Sequence, residues 1–281
     1  MHRQTPRILA IAGSDSGGGA GIQADLKTIT ALGGFGMSAI TALTAQNTSG
    51  VRGIHNVPPD FVRTQIEAVI EDIGVDVVKT GMLANAEIVN TVASCISEHP
   101  APHLVVDPVM VAKSGDSLLA PEAEKALREE LFPLASIITP NIPEAEALLG
   151  VTIETPQQMR ETAENLRSLG PKWVLLKGGH LDGEPVDILC GATKYYEIVR
   201  ARISTKNTHG TGCTYASAIA TLLGMGFEMP RAVETARDAV QAAIEGGLRL
   251  GKGHGPVNHR AIFDQMETDK LFPETGEQGS R

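Results

Sequence analysis

The sequence predicts an α/β protein with a mostly parallel central sheet covered by helices on both faces. Short apolar runs typical of buried strands alternate along the chain with longer runs of helical periodicity, and this βαβα order favours parallel strands. The composition agrees, because 42% of the 281 residues are hydrophobic but only 4% are aromatic. A supply of Ala, Val, Ile and Leu suits strands buried on both faces better than an aromatic-rich β-sandwich.

The N-terminal part is predicted to begin with a strand, a glycine-rich turn and a helix. The strand covers residues 7–12, and the helix covers residues 22–32 with its apolar residues near one face. A second apolar run covers residues 37–45. Pro58 and Pro59 then mark the start of the next helix.

The middle of the chain continues the alternation, with four short apolar runs separated by helical patterns. The predicted strands are residues 75–79, 104–107, 136–139 and 173–177. The predicted helices are residues 86–97, 121–131, 144–148 and 156–169. Because helices connect these strands, neighbouring strands are expected to run in the same direction.

The C-terminal part is predicted to add a hairpin at the edge of the sheet and two closing helices. The hairpin strands are residues 188–190 and 195–201, and the helices are residues 209–223 and 230–250. No linker or internal repeat divides the chain, so we expect one domain over residues 1–267. The polar residues 268–281 are expected to form a disordered tail.

Charge and cysteine content limit the partners and the compartment. The formal net charge is −9, so a general affinity for nucleic acid or for an anionic membrane is not expected. Cys95, Cys190 and Cys213 are odd in number and far apart, which argues against a disulfide framework. No apolar stretch reaches the roughly 18 residues of a membrane span, and none precedes the first strand. We therefore expect a cytoplasmic protein.

Residues 208–213, Thr-His-Gly-Thr-Gly-Cys, open a predicted helix and have the features of an anion site. Gly210 and Gly212 lack Cβ atoms, so consecutive N–H groups can surround a phosphate, and the helix dipole adds positive potential. A migrating phosphoryl group needs such an environment. Cys213 is a candidate proton acceptor, because the pKa of a thiol falls at a helix N-terminus. The segment alone also fits a glycine-rich helix start with an inert buried cysteine.

Nearer the N-terminus, a first glycine cluster at residues 13–21 follows the first strand, and residues 19–24 fit the loose dinucleotide fingerprint G-x-G-x-x-A. The acidic residue expected about 20 positions later is missing, so a dehydrogenase is disfavoured. We expect instead a loop whose backbone approaches a small ligand. Asp25, one turn into the next helix, is either part of that site or a helix charge favoured by the dipole.

Three charged residues follow other predicted strands, at the sheet edge where α/β proteins bind ligands. Asp107 and Glu144 are candidates to hold Mg²⁺ beside nucleotide phosphates, or they are a turn residue and a first-turn helix charge. Lys177 either meets phosphate or lies in a surface turn. His99 and His103 have helical spacing but two prolines between them, so all eight histidines are expected to be structural or surface residues.

Taken together, these motifs resemble the hydroxymethylpyrimidine/phosphomethylpyrimidine kinases of thiamine biosynthesis, in the ribokinase-like superfamily. The resemblance covers about residues 7–263 and is carried by residues 12–25, 44–48, 79–83, 107–110, 139–141, 177–180 and 208–214. It implies a three-layer α/β/α sandwich and a homodimer. It also implies that ATP, with Mg²⁺, phosphorylates the hydroxyl of 4-amino-5-hydroxymethyl-2-methylpyrimidine and then the resulting monophosphate.

The resemblance also implies roles for individual residues. Gln46 matches the position that reads the pyrimidine, where an amide can donate to a ring nitrogen and accept from the exocyclic amine. Gly13, Asp25, Met82 and Val109 match other substrate-binding positions. Asn141, Lys177, Thr208, Gly210, Thr211 and Gly212 match the ATP phosphate and transfer site, and Asp107 and Glu144 match the Mg²⁺ region. Cys213 stands where sugar kinases have an aspartate base, so activation by the helix dipole is expected to matter.

Two other functions stay open at this point. Some pyridoxal kinases share this scaffold, and pyridoxal is also a flat ring with a hydroxymethyl group, although Gln46 suits an aminopyrimidine edge better than a phenol and an aldehyde. A non-catalytic ligand sensor is the other alternative, but it would be expected to have lost the anion loop or the acidic pair. Residues 114–116 and the stretch around Gly183 are candidates for a mobile flap over the site.

Overall fold

One β-sheet runs through the residues that this computed structural model describes, which are 5–110, 121–181 and 183–267. Its strands are β1 (Arg7–Asp15), β2 (Phe35–Asn47), β3 (Gly50–Asn56), β4 (Val77–Thr80), β5 (His103–Val106), β6 (Ile137–Ile138), β7 (Trp173–Leu176), β8 (Val186–Cys190) and β9 (Tyr195–Val199). Their order across the sheet is β3-β2-β1-β4-β5-β6-β7-β8-β9. The strands from β2 to β7 pair in parallel, while β3 and the β8–β9 hairpin add antiparallel edges.

Helices cover both faces of this sheet. They are α1 (Gly21–Ala31), α2 (Pro59–Asp72), α3 (Ala86–Glu98), α4 (Pro121–Ala126), α5 (Ile142–Leu149), α6 (Pro156–Arg167), α7 (Thr211–Gly224), α8 (Met229–Glu245) and α9 (His259–Glu267). Because side chains alternate along a strand, Leu9 joins a core formed with α2 to α6, whereas Ile8 joins a core formed with α1, α7, α8 and α9. The predicted three-layer α/β/α architecture is confirmed, and no described helix is long and apolar enough to cross a membrane.

Two elements escaped the sequence analysis. β3 is mostly exposed along its length, so it lacks the apolar alternation by which strands are predicted. The prediction of two closing helices is wrong, because α8 ends at Glu245, before Gly246 and Gly247, and α9 follows. Residues 246–258, between these two helices, are not helical in the structure. The predicted tail at residues 268–281 and the flap candidate at residues 114–116 lie outside the described residues.

The first turn of α9 is held by a buried histidine, which predicts a pH effect on stability. His259 Nε2 lies 2.9 Å from Thr214 Oγ1 of α7, and burial, helped by Lys27, lowers the pKa of His259 to about 4. Because this pKa is below the unfolded value near 6.5, the contribution to stability is complete above pH 6.5 and is lost as the pH falls toward 4.

We expect protonation of His259 in the unfolded state to lower the free energy of unfolding, measured in urea, by about 2 kcal/mol between pH 7.5 and pH 5. The His259→Gln variant should lack that component, because glutamine does not titrate. The informative quantity is the difference between the two proteins at each pH, since their other groups are shared. Parallel stability curves for the two proteins would contradict the role assigned to His259.

Candidate active site

A cavity of about 610 Å³ opens at the carboxyl ends of the parallel strands, facing the start of α7. It lies at the switch point of the sheet, where β2 is placed on one side of β1 and β4 on the other. Ligands of open α/β sheets bind at such a point. All but one of the residues predicted for the site line it. They are Gly13, Gln46, Met82, Asp107, Val109, Asn141, Glu144, Lys177, Thr208, Gly210, Thr211, Gly212 and Cys213.

The glycine motif of residues 208–213 forms the start of α7 on one side of this cavity. Gly210 has a φ of 85° and immediately precedes the helix, and Thr211 Oγ1 donates to the carbonyl of Thr208 over 2.8 Å. The first N–H groups of a helix have no intrahelical acceptor, and residues 210–213 line the cavity. This arrangement provides a cradle for an anion at the positive end of the α7 dipole.

A lysine and an aspartate lie directly opposite this cradle. Lys177 Nζ is 3.0 Å from Asp107 Oδ1, and Thr139 Oγ1 donates to the same oxygen over 2.9 Å. A Cβ placed on Gly212 would lie 3.5 Å from both Lys177 Nζ and Asp107 Oδ2. The space that glycine leaves free is therefore bordered by a cation and a carboxylate oxygen.

Lys177 is an internal charge, so the alternative of a surface turn is wrong. Its side chain is 15% exposed. Burial alone would lower its pKa, but the charges of Asp107 and Glu144 outweigh it and raise the pKa of Lys177. The ammonium group therefore stays charged beside the cradle.

Glu144 performs a structural task and also adds charge at the same edge. Its carboxylate accepts from the Asn141 backbone N–H over 2.8 Å, while Asn141 Oδ1 accepts from the Glu144 N–H, which makes a capping box at the start of α5. Burial, with a contribution from the charge of Asp107, raises the pKa of Glu144 to about 7. A buried carboxyl group beside a second carboxylate fits a divalent cation between or next to them.

Cys213 does not have the depressed pKa that its position at a helix N-terminus predicted. Burial raises the pKa of Cys213 to about 12, and the charges of Asp25 and Asp107 act in the same direction. The nearby Lys79 opposes them but does not compensate. The thiol is therefore neutral at physiological pH, because loss of solvation outweighs the helix dipole.

Asp25 is the predicted site residue that the structure removes from the cavity. It is fully buried, and its Oδ1 accepts from Lys79 Nζ over 2.8 Å and from Ser217 Oγ over 2.7 Å. It also lies beyond the first turn of α1, so a first-turn helix charge does not describe it, and its role toward a substrate stays a prediction. Its observed partner is Lys79, a buried cation whose pKa is raised because Asp25 and neighbouring negative groups outweigh burial.

The first glycine cluster and the end of β2 form the other wall of the cavity. A Cβ on Gly13 would come within 3.0 Å of the Met82 methyl group, so these two residues pack without spare room. Gln46 is held by its backbone, whose N–H and carbonyl each bond to Ser16 Oγ over 2.9 Å. Its side-chain amide lies 3.1 Å from Thr44 Oγ1, whose single hydrogen donates to the Ser14 carbonyl over 2.8 Å, so the amide keeps hydrogen-bonding capacity for a ligand.

Several lining residues were missed by the sequence analysis. Asp187 of β8 accepts from the Gly178 N–H over 2.9 Å and pairs with Arg237 of α8 at 3.3 Å, so it anchors the turn that follows Lys177. The available signal was a lone aspartate within the apolar run 186–190. Asp15 and His209 also line the cavity, although His209 was expected to be structural or exposed.

Comparison with known proteins identifies the family. A sequence model described as phosphomethylpyrimidine kinase matches residues 15–258. The chain belongs to this family. The hydroxymethylpyrimidine/phosphomethylpyrimidine kinases of Streptomyces coelicolor and Bacillus subtilis are each 49% identical to it, over 90% and 91% of this chain and 94% and 95% of theirs. The thiamine biosynthesis bifunctional protein ThiED of Geobacter sulfurreducens is 56% identical over 90% of this chain, which spans 52% of that protein.

Solved structures confirm the ribokinase-like fold that the resemblance implied. The phosphomethylpyrimidine kinase of Clostridium difficile 630 is 47% identical and superimposes with a TM-score of 0.77, over 85% of this chain and all of that one. An ADP complex of Bacillus subtilis pyridoxal kinase is 38% identical with a TM-score of 0.86, over 92% of this chain and 99% of its own. The family thus shares its scaffold with kinases of a different vitamin.

Proposed function

We propose that the chain transfers the γ-phosphoryl group of ATP to the hydroxyl of 4-amino-5-hydroxymethyl-2-methylpyrimidine and then to the monophosphate so formed. The observation that carries this proposal is the juxtaposition of Lys177, Asp107 and the first turn of α7 around one open space. The names of its relatives, at up to 56% identity, support the same reaction. Structures of related pyridoxal kinases with ADP and an ATP analogue support ATP as the donor.

The role proposed for each group follows from its charge and its hydrogen-bonding capacity. Phosphoryl transfer is accelerated mainly by positioning and by stabilising the charge on the moving group, which the α7 N–H groups and Lys177 would supply. Asp107 and Glu144 would hold Mg²⁺, which when bound supplies positive charge to the nucleotide phosphates. On the opposite wall, the Gln46 amide would orient the aminopyrimidine so that its hydroxymethyl group faces the cradle.

Only the first transfer releases a hydroxyl proton, and this separates the two steps at Cys213. The phosphate acceptor of the second transfer is already ionised and needs no base. Cys213 can accept that proton only as a thiolate, which its raised pKa makes a minor form, so we expect Cys213→Ala to slow phosphorylation of the alcohol by about 10²-fold, at the low end for a proton-transfer group. Phosphorylation of the monophosphate should change far less. Separate assays of ADP release with each acceptor measure this.

Cys95→Ala is the matched control for that experiment, since it removes a thiol buried in α3 on the other face of the sheet. It should leave the ratio of the two rates unchanged. Equal losses in both steps for Cys213→Ala would contradict a role in proton transfer and would indicate that the residue only shapes the cavity.

Acceptor specificity tests the proposed function as a whole. ADP formation is measured at equal ATP with the pyrimidine alcohol, its monophosphate and pyridoxal. We expect turnover of the first two, with pyridoxal slower. Preference for pyridoxal would favour the alternative kinase, which the shared scaffold makes the second candidate. Binding without turnover of any acceptor would indicate a sensor. Homodimer formation, cytoplasmic location and a flap near Gly183 stay predictions.

A further inference from the structure

The two glycine loops on opposite walls of the cavity are joined by one pair of side chains. Asp15, at the end of β1, belongs to the loop next to the proposed acceptor. His209 lies directly before Gly210 in the phosphate cradle. His209 Nε2 is 2.9 Å from Asp15 Oδ2, and the two side chains are only 11% and 3% exposed. The loop beside the proposed acceptor and the loop that would hold the phosphate are thus joined by a direct hydrogen bond.

The carboxylate of Asp15 organises the whole first glycine loop. Its Oδ1 accepts from the Gly17 N–H over 2.8 Å, and its Oδ2 accepts from the N–H groups of Gly19 and Ala20 over 3.0 and 2.9 Å. Burial would raise the pKa of Asp15, but the bond to His209 and the backbone N–H groups outweigh it and lower that pKa. Asp15 is therefore an ionised group whose charge is satisfied by the protein, which leaves it poorly suited to bind substrate or accept a proton.

His209 is fixed on its other side by the backbone. Its N–H donates to the Gly255 carbonyl over 3.0 Å, and its carbonyl accepts from the Val257 N–H over 3.2 Å. Its neighbour Gly210 approaches the first loop so closely that a Cβ there would overlap the Gly19 carbonyl. The backbone of His209 is therefore anchored, and its imidazole bonds to Asp15.

We propose that Asp15 and His209 are positioning residues that hold the acceptor loop at a set distance from the phosphate cradle. This inference rests on the proposed function, because it concerns the alignment of the acceptor oxygen with the transferred phosphorus. A misplacement of about 1 Å in such an alignment can cost about 10²-fold in rate. Removing the contact should separate the loops slightly, while both loops keep their own ligand contacts.

The test compares His209→Leu with His209→Gln in the full chain. Leucine removes the polar contact, whereas the glutamine amide can place an N–H near the position of Nε2 and donate to Asp15. We expect His209→Leu to lower kcat by about 10²-fold with little change in KM for ATP. Its ratio of ATP hydrolysis to acceptor phosphorylation should rise, because water can compete with a misaligned acceptor. His209→Gln should recover most of the coupling.

Lys27→Met is the matched control, since Lys27 Nζ donates to the Gly18 carbonyl of the same loop over 2.7 Å but is exposed and does not bridge to α7. It should keep both kcat and coupling. Asp15→Asn also disturbs the bonds from the loop N–H groups, but combined with His209→Leu it should lose no more than the worse single variant, because the contact between the two side chains can be lost only once. If His209→Leu does not fold, His209→Gln and Asp15→Asn are compared alone.

When His209→Leu folds, any of three results would overturn the inference. They are unchanged kcat and coupling in His209→Leu, equal damage in His209→Gln, and additive losses in the double variant. Equal damage in the glutamine variant would mean that the imidazole itself is required. Where His209→Leu does not fold, a His209→Gln variant as damaged as Asp15→Asn would also overturn it. If the unsubstituted protein phosphorylates neither pyrimidine acceptor, the proposed function has failed instead, and the two failures are thereby distinguished.

Discussion

The Lys177→Met variant should lose about 10²- to 10³-fold in kcat/KM for ATP, because it removes the positive charge that faces the start of α7. Lys177 Nζ and Asp107 Oδ2 border the same free space beside Gly212, where transferring oxygens would carry negative charge. Methionine retains the length and the apolar stem but leaves the buried carboxylate of Asp107 without its cation. Both changes act against a polyanionic ligand.

Steady-state kinetics with varied ATP measure this loss, and Lys172→Met is the control. Lys172 is an exposed lysine just before the opposite end of β7, so its removal changes the net charge equally but leaves the site intact. Because breaking a buried ion pair costs about 3–5 kcal/mol, the assays should run well below the unfolding midpoint of the variant. Equal kinetics in the two variants would refute the phosphate role of Lys177.

The second large loss of activity is expected from Gly210→Ala, because the added methyl group would clash with the facing loop; no charge is changed. Gly210 has a φ of 85°, and a Cβ there would overlap the carbonyl oxygen of Gly19. The two loops must then move apart, which displaces the first turn of α7 relative to the acceptor wall. We expect about 10²-fold lower kcat for both acceptors, as for any misalignment of the reacting groups by about 1 Å.

Gly226→Ala separates this collision from ordinary backbone strain. Gly226 also has a φ of 85°, but a Cβ there would meet no atom within 4 Å. Both variants should therefore share the strain of about 1 kcal/mol in the free energy of unfolding, while Gly210→Ala alone should lose activity. Comparable activity in both variants would show that contact between the loops is dispensable.

Local patterns predicted much of the fold because their causes are local. Buried strands need continuous apolar runs and helices need a periodic apolar face, so β4 to β7 and most helices were visible in the sequence. β3 was not visible, because an exposed edge strand is stabilised by pairing with β2 and not by its own composition. α9 was missed for a related reason, since its first turn is held by a distant partner, Thr214.

At the site, the sequence determined which groups exist and at which end of the sheet they emerge, because strand direction is set by the βαβ order. Lys177 and Asp107 were found in this way, whereas Gly210 and Gly212 were found from the glycine-rich start of a predicted helix. The ionisation of these groups was a different matter. Cys213 was expected to be acidic from its place in a helix, but burial raises its pKa to about 12. Solvation depends on every neighbouring element, which no local pattern contains.

Tertiary structure alone decided the pairings between distant residues. Asp25 was assigned to the cavity from the sequence, yet the packing of α1 against α7 encloses it with Ser217, and Lys79 reaches it from β4. Asp15 and His209, 194 positions apart, meet for the same reason. A hydrogen bond depends on distances of a few tenths of an ångström between atoms of separate elements. Such distances are set only when the helices have packed on both faces of the sheet, whereas the residue types are given by the sequence.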